Sequence, residues 1–353
     1  MTLRMSGSHP DVKMALYRRR HVDTEGLVFV ENTEEGEREV RDVTVRDCFF
    51  DGPLSDDTGH AHLAMCDGAL LGSITTKDKR LYSLLSIPDH VAKRSDDVMQ
   101  VLVTWRQITE RDVLSHQGVI APELQPQELR DQQGLPMSKR AEVAKIEFAN
   151  YLDKYYIAEA KAKLGRSTNQ QLTDLQILKW SSAANILDTN KINYDIKLHF
   201  RKIQFMNTHP SWYTTDTTQK IGKRMNLFCA GTKPEKYDQM SISTYKTSDG
   251  NVVGLAWIKT LCRPRYRCLA SRAVNTNYHT ELHEMGHNIA LNHDGKMAEC
   301  DTDPEKKGFM SSNKDWFRSC YKNRINNAIA ASAYNCLRTN NLSSGNIGNW
   351  LGK

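Results

Sequence analysis

The chain has 353 residues, which is enough for two ordinary domains with a hydrophobic core each. Its 39% hydrophobic and 25% charged residues are typical of a globular protein and not of a disordered one. The net charge of +6 is spread along the chain, and its one tight basic cluster, residues 18–20, reads as a solvated face. No apolar stretch is long enough to span a bilayer. Composition therefore predicts neither a nucleic-acid partner nor a membrane span.

The cysteines indicate an oxidising compartment. There are 8 of them without a CxxC pair, which favours disulfides over a structural zinc site. Residues 1–20 are polar and basic and contain no apolar segment of a signal peptide. Secretion is therefore inferred from the cysteines, and we expect the natural N-terminus to lie upstream. Cys48 and Cys66 are the only cysteines in the N-terminal half, so they most simply pair with each other. The remaining six cysteines can be paired in about fifteen ways, and counting alone does not choose among them.

The N-terminal part, residues 1–106, is predicted to be β-rich. Alternating apolar residues indicate strands at 26–31, 43–50 and 63–74. Residues 107–140 are polar and rich in glutamine and proline, which is typical of an exposed linker. The dibasic pair at residues 139–140, Lys139 and Arg140, is open to trypsin-like or proprotein-processing cleavage.

From residue 141 onward, strands alternate with helices, so the sequence predicts an α/β fold. The predicted strands lie at 144–153, 194–203 and 239–245, and the predicted helices at 171–187, 219–228 and 323–335. An apolar stretch at 254–261, bounded by glycine, is consistent with a strand at the edge of the sheet.

Residues 279–294 read HTELHEMGHNIALNHD, an HExxH motif with a third histidine six residues further on. In a helix, His283 and His287 lie one turn apart on one face and can reach the same ion. Glu284 lies beside them, close enough to hold a water without being a ligand. His293 cannot share that face, so the chain must turn sharply before it. Three neutral nitrogen ligands with a fourth position left to water are typical of a catalytic zinc.

Other residues near the motif suggest alternatives. His279 lies one turn before the first motif histidine, but no glutamate follows it, which favours a structural or solvent-facing role. Glu299 with Asp303 imitates metalloproteases that use a downstream carboxylate ligand, but both follow the motif too closely to lie on a second packed helix. The motif helix is predicted to begin near Asn275, with Asn275 or Thr276 as its cap.

The motif resembles the zinc signature of the metzincins. Asp294 after the third histidine points to the adamalysin or reprolysin branch, which contains the ADAM and ADAMTS proteases and snake-venom metalloproteases. The resemblance covers residues from about 141 to 337, and the ADAMTS group is the most similar. The segment LCRPRYRC, which contains Cys262 and Cys268 just before the motif, is part of this likeness. Residues 48–68 resemble the propeptide of the same proteases.

The resemblance implies four segments. A β-rich reprolysin-type propeptide would cover residues 1–106, and a linker with the dibasic site residues 107–140. A metzincin catalytic domain would cover 141–337, with a mixed, mostly parallel, twisted sheet and a long zinc helix. Residues 338–353 would form a C-terminal tail.

The resemblance also implies roles for individual residues. One catalytic zinc would be held by His283, His287 and His293, with Glu284 as general base and Met310 as the Met-turn residue beneath the metal. The implied disulfides beyond the first are Cys229–Cys268, Cys262–Cys336 and Cys300–Cys320. A structural calcium ion would be held by Glu147, Asp238, the carbonyl of Cys336 and Asn340.

The chain departs from the family pattern in three places. Ala290 stands where most metzincins have glycine between the second and third histidines, at a cost on the order of 1 kcal/mol. No cysteine lies between Cys66 and Cys229, so a propeptide thiol that latches the zinc is absent, and any latency must come from packing. An extra cysteine pair of the ADAMTS type between residues 238 and 262 is missing, and no disintegrin-like or thrombospondin-like module follows within the sequence.

The sequence therefore predicts a secreted, monomeric zinc metalloendopeptidase. It would hydrolyse peptide bonds of extracellular proteins by means of a zinc-bound water that Glu284 activates. Its substrate would lie along residues 254–261 as an added antiparallel strand. The alternative is a catalytically weak or inactive binding protein that keeps the same scaffold. Ala290 leaves room for this alternative, whereas the intact histidines and glutamate argue against it.

Overall fold

The described residues of the computed structural model form two large β-sheets, of eight and six strands, a two-stranded sheet of β1 and β2, and five α-helices. The structure describes residues 2–3, 12–56, 58–76, 80–86, 101–107, 116–120, 142–188, 192–214, 216–232, 236–245, 247–248, 250, 252–301, 308–311 and 317–338. The strands are β1 (Thr2–Leu3), β2 (Val12–Lys13), β3 (Tyr17–Arg18), β4 (Val28–Thr33), β5 (Gly36–Glu39), β6 (Phe49–Pro53), β7 (Gly59–Cys66), β8 (Ala69–Thr76), β9 (Arg80–Ser86), β10 (Val101–Gln107), β11 (His116–Ile120), β12 (Glu142–Asp153), β13 (Tyr194–Met206), β14 (Gln239–Ser243), β15 (Gly254–Ile258) and β16 (Cys268–Ser271). The helices are α1 (Lys154–Leu164), α2 (Asn169–Leu187), α3 (Ile221–Gly231), α4 (His279–Ile289) and α5 (Tyr321–Ala330).

The larger sheet contains eight strands in the order β11-β15-β16-β14-β12-β13-β4-β5. Its central strands, from β16 to β4, run parallel, while β15 and β5 are antiparallel to their inner neighbours. Strands β12 and β13 are buried along most of their length, as expected for parallel strands that are covered on both faces. The predicted α/β fold with a mixed, mostly parallel sheet is thus confirmed.

Helix α2 forms the main core layer against this sheet. A capping box between Thr168 and Gln171 fixes its start. The ring of Trp180 lies 4.7 Å from that of Phe148 in β12, which stacks at 4.4 Å on Phe200 in β13. Aromatic contacts of this kind add to the free energy gained from burying the rings themselves.

Helix α4 is buried along its whole length and is held by polar contacts on several sides. Lys179 of α2 and Glu281 of α4 form an ion pair of 2.5 Å, and neither side chain is more than 2% exposed. The Ser271 hydroxyl of β16 donates to Glu281 Oε1 at 2.9 Å. The Asn288 amide donates to the Trp257 carbonyl of β15 at 2.8 Å. Because each contact is directional, together they fix the rotation of the helix as well as its position.

The smaller sheet belongs to the N-terminal region and contains six antiparallel strands in the order β10-β9-β8-β7-β6-β3. Strands β7 and β8 are joined at Asp67 and Gly68, whose φ angles are 52° and 73°. Two consecutive positive φ angles are those of a type I′ turn, for which Asp-Gly is a preferred pair. The β-rich character predicted for this region is therefore present.

The N-terminal region packs closely against the larger sheet. Arg46 pairs with Asp67 and with Asp174 of α2. The backbone N–H of His21 donates to the Ser181 hydroxyl of α2 at 2.7 Å. In addition, β4 pairs with β13 in parallel, so that β4 and β5 extend the larger sheet. The N-terminal region thus contributes strands to the same sheet as the region that follows it.

Two sequence predictions for this part of the chain are wrong, and a third segment contains a strand that composition did not predict. Residues 43–48 lie outside any strand and β6 begins at Phe49, because the intervening loop carries Arg46 and its ion pairs. Residues 63–74 form a hairpin and not one strand, because the Asp-Gly turn interrupts them. The predicted linker contains β11, which pairs with β15. Composition could not reveal that strand, since its partner lies far away in the sequence.

The start predicted for helix α4 is also wrong. The helix begins at His279 and not near Asn275, and its N-cap residue, Tyr278, makes no side-chain capping hydrogen bond. The hydroxyl of Thr276 donates instead to the Gly72 carbonyl of β8 at 2.6 Å. The carboxamide oxygen of Asn277 accepts the His279 N–H at 3.4 Å. A contact with the N-terminal sheet has therefore replaced the predicted local cap.

The last predicted helix, 323–335, is divided in two. Helix α5 ends because Ala331 adopts an extended conformation. Residues Ser332–Arg338 then form a 3₁₀ segment. This segment carries Tyr334 into the core, where its hydroxyl donates to the Ile289 carbonyl of α4 at 2.9 Å. A tertiary contact has therefore prevailed over local helix propensity.

Candidate metal centre

The three motif histidines converge on one point. His283 and His287 lie one turn apart on α4, with ring centroids 4.8 Å apart. The ring of His293 lies 5.2 Å and 4.9 Å from them. One ring nitrogen from each histidine lies within 4.8 Å of the other two, a spacing at which a single ion can contact all three.

Backbone carbonyls orient two of these rings. His283 Nδ1 lies 2.9 Å from the Phe309 carbonyl, and His287 Nδ1 lies 2.8 Å from the Leu291 carbonyl. A carbonyl can only accept, so each Nδ1 carries the proton and each Nε2 presents its lone pair as a metal ligand. His293 Nε2 is buried without a hydrogen-bond partner among the described residues. Imidazole nitrogens of this kind are ligands that fit a zinc ion.

Burial favours the neutral form of His283 and of His293. It lowers the pKa of His283 well below its usual value, and the neighbouring imidazoles of His287 and His293 lower it further. Burial, followed by the charge of Lys296, also lowers the pKa of His293. Since a metal ligand must be deprotonated, the pocket is prepared to bind a cation near neutral pH.

The chain turns at Ala290 to bring His293 back. Ala290 has φ 158° and ψ 2°, a conformation that L side chains rarely adopt. Its N–H and that of Leu291 both donate to the Gly286 carbonyl, at 3.1 Å and 2.8 Å. The Tyr334 hydroxyl lies 2.9 Å from the Ile289 carbonyl, which the helix itself leaves without a partner. The turn forms in spite of the alanine because tertiary hydrogen bonds stabilise it.

Glu284 lies beside the histidines and is 0% exposed. Burial, together with the charge of Glu281, raises the pKa of the Glu284 carboxyl well above its usual range. The carboxylate lies against the backbone of Gly254 in β15, where an added Cβ would lie 2.3 Å from Glu284 Oε1. Gly254 therefore lets β15 approach the carboxylate, a requirement that the motif did not predict. The sequence predicted β15 at the sheet edge, but β11 pairs with its outer side and takes that place.

Met310 lies directly beneath this part of α4 and is 0% exposed. A Cβ added at Gly286 would lie 2.5 Å from Met310 Sδ. Gly286 lies between His283 and His287 in the sequence, so Met310 packs under the helical turn that carries both ligands. Glycine at this position makes the close approach sterically feasible.

The alternative ligands lie elsewhere. The ring of His279 stacks on that of Tyr278, with centroids 5.0 Å apart, outside the histidine cluster. Glu299 pairs with Arg324 on the surface, and the Glu299 side chain is 35% exposed. Asp303 lies outside the described residues. The described part of the chain therefore gives no support to a downstream carboxylate ligand.

The residues predicted to hold calcium are only partly brought together. Glu147 donates its backbone N–H to Asp238 Oδ2 at 2.9 Å. The carboxylate of Asp238 lies near the sulfur atoms of Cys262 and Cys336. Glu147 Oε1, however, accepts two hydrogen bonds from Arg201, at 3.2 Å and 3.1 Å. Glu147 Oε2 is buried without a hydrogen bond within the described residues. One carboxylate oxygen is thus open to a cation, and the other is neutralised by a guanidinium group.

Asn340, the fourth residue predicted to hold calcium, lies outside the described residues, as does the dibasic pair Lys139 and Arg140. The structure pairs the eight cysteines as Cys48–Cys66, Cys229–Cys268, Cys262–Cys336 and Cys300–Cys320. Four disulfides are consistent with an extracellular protein. Within the described part of the chain, no helix has both the length and the apolar character needed to cross a bilayer.

Three converging histidines beside a buried glutamate form a group that could hold a metal ion. The model of metallo-peptidase family M12, under the name Reprolysin_5, matches residues 154–339. This stretch is more than half of the chain, and the chain belongs to that family. The family implies a zinc-binding site and protein substrates.

Among solved structures, one described as "Structure of a chaperone-substrate complex" is similar to this chain, with 14% sequence identity and a TM-score of 0.33. The similarity covers 44% of this chain and 25% of that chain, so it extends over about a quarter of the other chain's length. A likeness this slight says nothing about function.

Proposed function

We propose that the protein is a secreted zinc endopeptidase of the adamalysin branch, with ADAMTS-like features, that cleaves extracellular proteins. The observation that carries this proposal is the convergence of His283, His287 and His293 next to the buried carboxylate of Glu284. A purely structural zinc site would use four protein ligands, whereas this cluster offers three and leaves a fourth position for a reactant.

A bound zinc ion supplies Lewis acidity and lowers the pKa of a coordinated water. Glu284 takes the proton of the attacking water and passes it to the leaving amine. Burial raises the pKa of the Glu284 carboxyl, which is the direction that favours holding the abstracted proton until it is transferred. Strand β15 contacts Glu284 through Gly254. Once β11 has left it, β15 would offer that edge to an extended peptide, whose main chain would hydrogen-bond to the strand.

The test of this function is Glu284→Gln, compared with the wild type after both chains have been cleaved after Arg140. We expect hydrolysis of casein or a fluorogenic peptide to fall by about 10²–10⁴-fold, with one zinc still bound per chain. Glu299→Gln is the matched control and should keep both activity and zinc. Full activity of Glu284→Gln contradicts the proposal, and loss of zinc from Glu299→Gln favours a downstream carboxylate ligand.

A second candidate function is a binding protein that has lost efficient turnover. The strained backbone of Ala290 is the observation that favours it, because this residue sets the position of His293. Zinc binding by the wild-type chain without chelator-sensitive hydrolysis, after cleavage at residues 139–140, would select this alternative.

We also propose that residues 1–106 act as a propeptide and residues 107–140 as a processed linker. Strand β11 pairs in parallel with β15, placing His116 opposite Gly254 and Ile120 opposite Ile258. One strand edge accepts one partner, so β11 and an extended substrate compete for β15. This pairing supports latency by packing, without a cysteine.

Trypsin-like cleavage tests this role. The intact chain should be latent, and cleavage after Arg140 should raise its activity. A chain with Lys139→Gln and Arg140→Gln should resist that activation. An intact chain as active as the cleaved one contradicts the propeptide role without affecting the peptidase proposal.

We further propose that the protein is monomeric. Tyr17 and Val143 are the exposed large hydrophobic residues among those described, at 54% and 47% exposure. They offer no large contiguous apolar patch of the kind that marks a stable interface. Sedimentation of the purified protein at micromolar concentration should give a single species with the mass of one chain.

A further inference from the structure

The segment that carries the third histidine is tied to the Met310 segment through Asp294. Asp294 Oδ2 accepts the Gly308 N–H at 2.9 Å, and Oδ1 accepts the Tyr321 hydroxyl at 2.7 Å. Arg318 Nη1 lies 3.2 Å from the same Oδ1 and balances its charge. Asp294, Arg318 and Tyr321 are all buried, so water is poorly placed to substitute for any of these contacts.

The Tyr321 hydroxyl has a second hydrogen bond in the opposite sense. It accepts the N–H of Met310 at 3.2 Å while it donates to Asp294. Met310 follows Phe309, whose carbonyl orients His283. Asp294 follows His293. The Tyr321 oxygen thus joins two segments. One contains Phe309, whose carbonyl orients His283, and the other contains His293 itself.

Gly308 leaves space for the Tyr321 hydroxyl because it has no side chain. A Cβ added at Gly308 would lie 2.4 Å from the Tyr321 oxygen and 2.6 Å from Arg318 Cγ. The Tyr321 ring itself packs edge-on against Phe309 and Phe317, with centroids 5.0 Å and 5.5 Å away. Phenylalanine could keep these ring contacts and would lose the two hydrogen bonds alone.

We propose that Tyr321 is a positioning residue of the metal centre, which acts through Asp294 and Met310 and touches neither metal nor substrate. The inference rests on the proposed zinc site. Hydrogen-bonding partners of ligand-bearing groups typically contribute about 10–100-fold to metal affinity. Since Tyr321 holds a segment next to each of two histidines, its hydroxyl should restrict the motion of both.

The experiment compares Tyr321→Phe with Tyr156→Phe in the full chain. Tyr156 is also fully buried and accepts a hydrogen bond from Gln176 at 2.9 Å, but it lies in α1. We expect Tyr321→Phe to weaken zinc binding about 10-fold or more in a chelator competition. It should also change the visible spectrum of the cobalt-substituted protein. Tyr156→Phe should do neither, even if both variants lose similar thermal stability.

A second variant tests the route of the effect. Asp294→Asn keeps the shape of the side chain but replaces one of its two acceptor oxygens with an NH2 group, which can only donate. If the hydroxyl acts through Asp294, the effects of Asp294→Asn and Tyr321→Phe on zinc affinity should be less than additive. If Tyr321→Phe folds poorly, Asp294→Asn alone still tests the link, because it perturbs the same hydrogen bond from the Asp294 side.

The outcomes separate the two proposals. Wild-type zinc affinity and cobalt spectrum in Tyr321→Phe overturn the positioning role, and so do strictly additive effects in the cycle. A wild-type chain that binds no zinc overturns the metal centre and this role together. A wild-type chain that binds zinc but does not hydrolyse peptides overturns the peptidase only, and the positioning role can still be measured.

Discussion

The histidine cluster and the region around Glu147 are both candidate cation sites, yet the protein prepares them differently. At the histidine cluster, backbone carbonyls accept hydrogen bonds from Nδ1 of His283 and of His287. One ring nitrogen of each of the three histidines is left near the same point. At Glu147, Arg201 already supplies a positive charge to one carboxylate oxygen. Residue type alone does not distinguish the two. The two sites differ in which atoms remain available to a cation. At Glu147 a carboxylate oxygen already accepts hydrogen bonds from Arg201, whereas at His283 and His287 the contact is made by Nδ1 and leaves Nε2 available.

The sharpest test of this difference is His293→Ala. Zinc affinity should fall by more than about a thousandfold, because one of three ligands is lost from a site in which binding is worth on the order of 10 kcal/mol. Hydrolysis should disappear with it. The measurement is the zinc content after dialysis against a weak chelator. His279→Ala is the control and should keep its zinc; equal loss from both variants would mean that the cluster is not the site.

The second test concerns Arg201→Met. Glu147 would then be left as a buried charge without its partner, which costs about 3 kcal/mol of folding stability. Millimolar calcium should raise the melting temperature of this variant more than that of the wild type, because both oxygens of Glu147 become open to the ion. Lys197→Met removes exposed ion pairs with Asp188 and Asp195 and is the control. Equal responses to calcium in all three proteins would exclude Glu147 as a ligand.

A smaller effect is expected at the turn between the ligands. Ala290→Gly should raise the free energy of unfolding by about 1 kcal/mol, because glycine adopts positive φ without steric cost. Ala158→Gly in the exposed face of α1 should lower it by about the same amount, since glycine weakens a helix interior. Thermal unfolding of the zinc-free proteins measures both. A loss of stability in Ala290→Gly would show that the alanine side chain contributes packing that outweighs the strain.

The smallest effect concerns a histidine outside the metal centre. Burial, followed by the charges of Lys154 and Arg224, lowers the pKa of His209 to about 4. The unfolded chain therefore takes up a proton near pH 6.5 that the folded chain binds only near pH 4, so stability falls as the pH is lowered between these values. His209→Phe should remove this part of the acid sensitivity, by less than about 1 kcal/mol after allowance for solvent screening.

Zinc affinity should be unchanged in His209→Phe. Melting curves from pH 7 to pH 4 compare the variant with the wild type, and parallel curves would contradict the role of His209. A lowered histidine pKa then marks burial, whereas a metal site additionally needs ligands that converge.

The sequence predicted that His283, His287 and His293 converge, and the structure brings them together. The ligands His283 and His287 and the base Glu284 lie within one helical turn, so helix geometry alone fixes their relation. The long strands β12 and β13 and the buried helix α2 were also predicted, since their apolar patterns are long and regular. The roles of these ligands and of the base in catalysis stay predictions until the variants are measured.

Only the tertiary structure decided the rest. It showed that the Tyr334 hydroxyl stabilises the turn at Ala290. It showed that Gly254 lets β15 approach Glu284 closely. It also showed that Tyr321 joins the segments of His293 and Met310. It also placed β4, β5 and β11 in the larger sheet, although composition assigned them to a separate domain and a linker. Such contacts join residues far apart in the chain, and no local periodicity or spacing encodes them. The sequence determined which groups can bind a metal, and the fold determined how they are held.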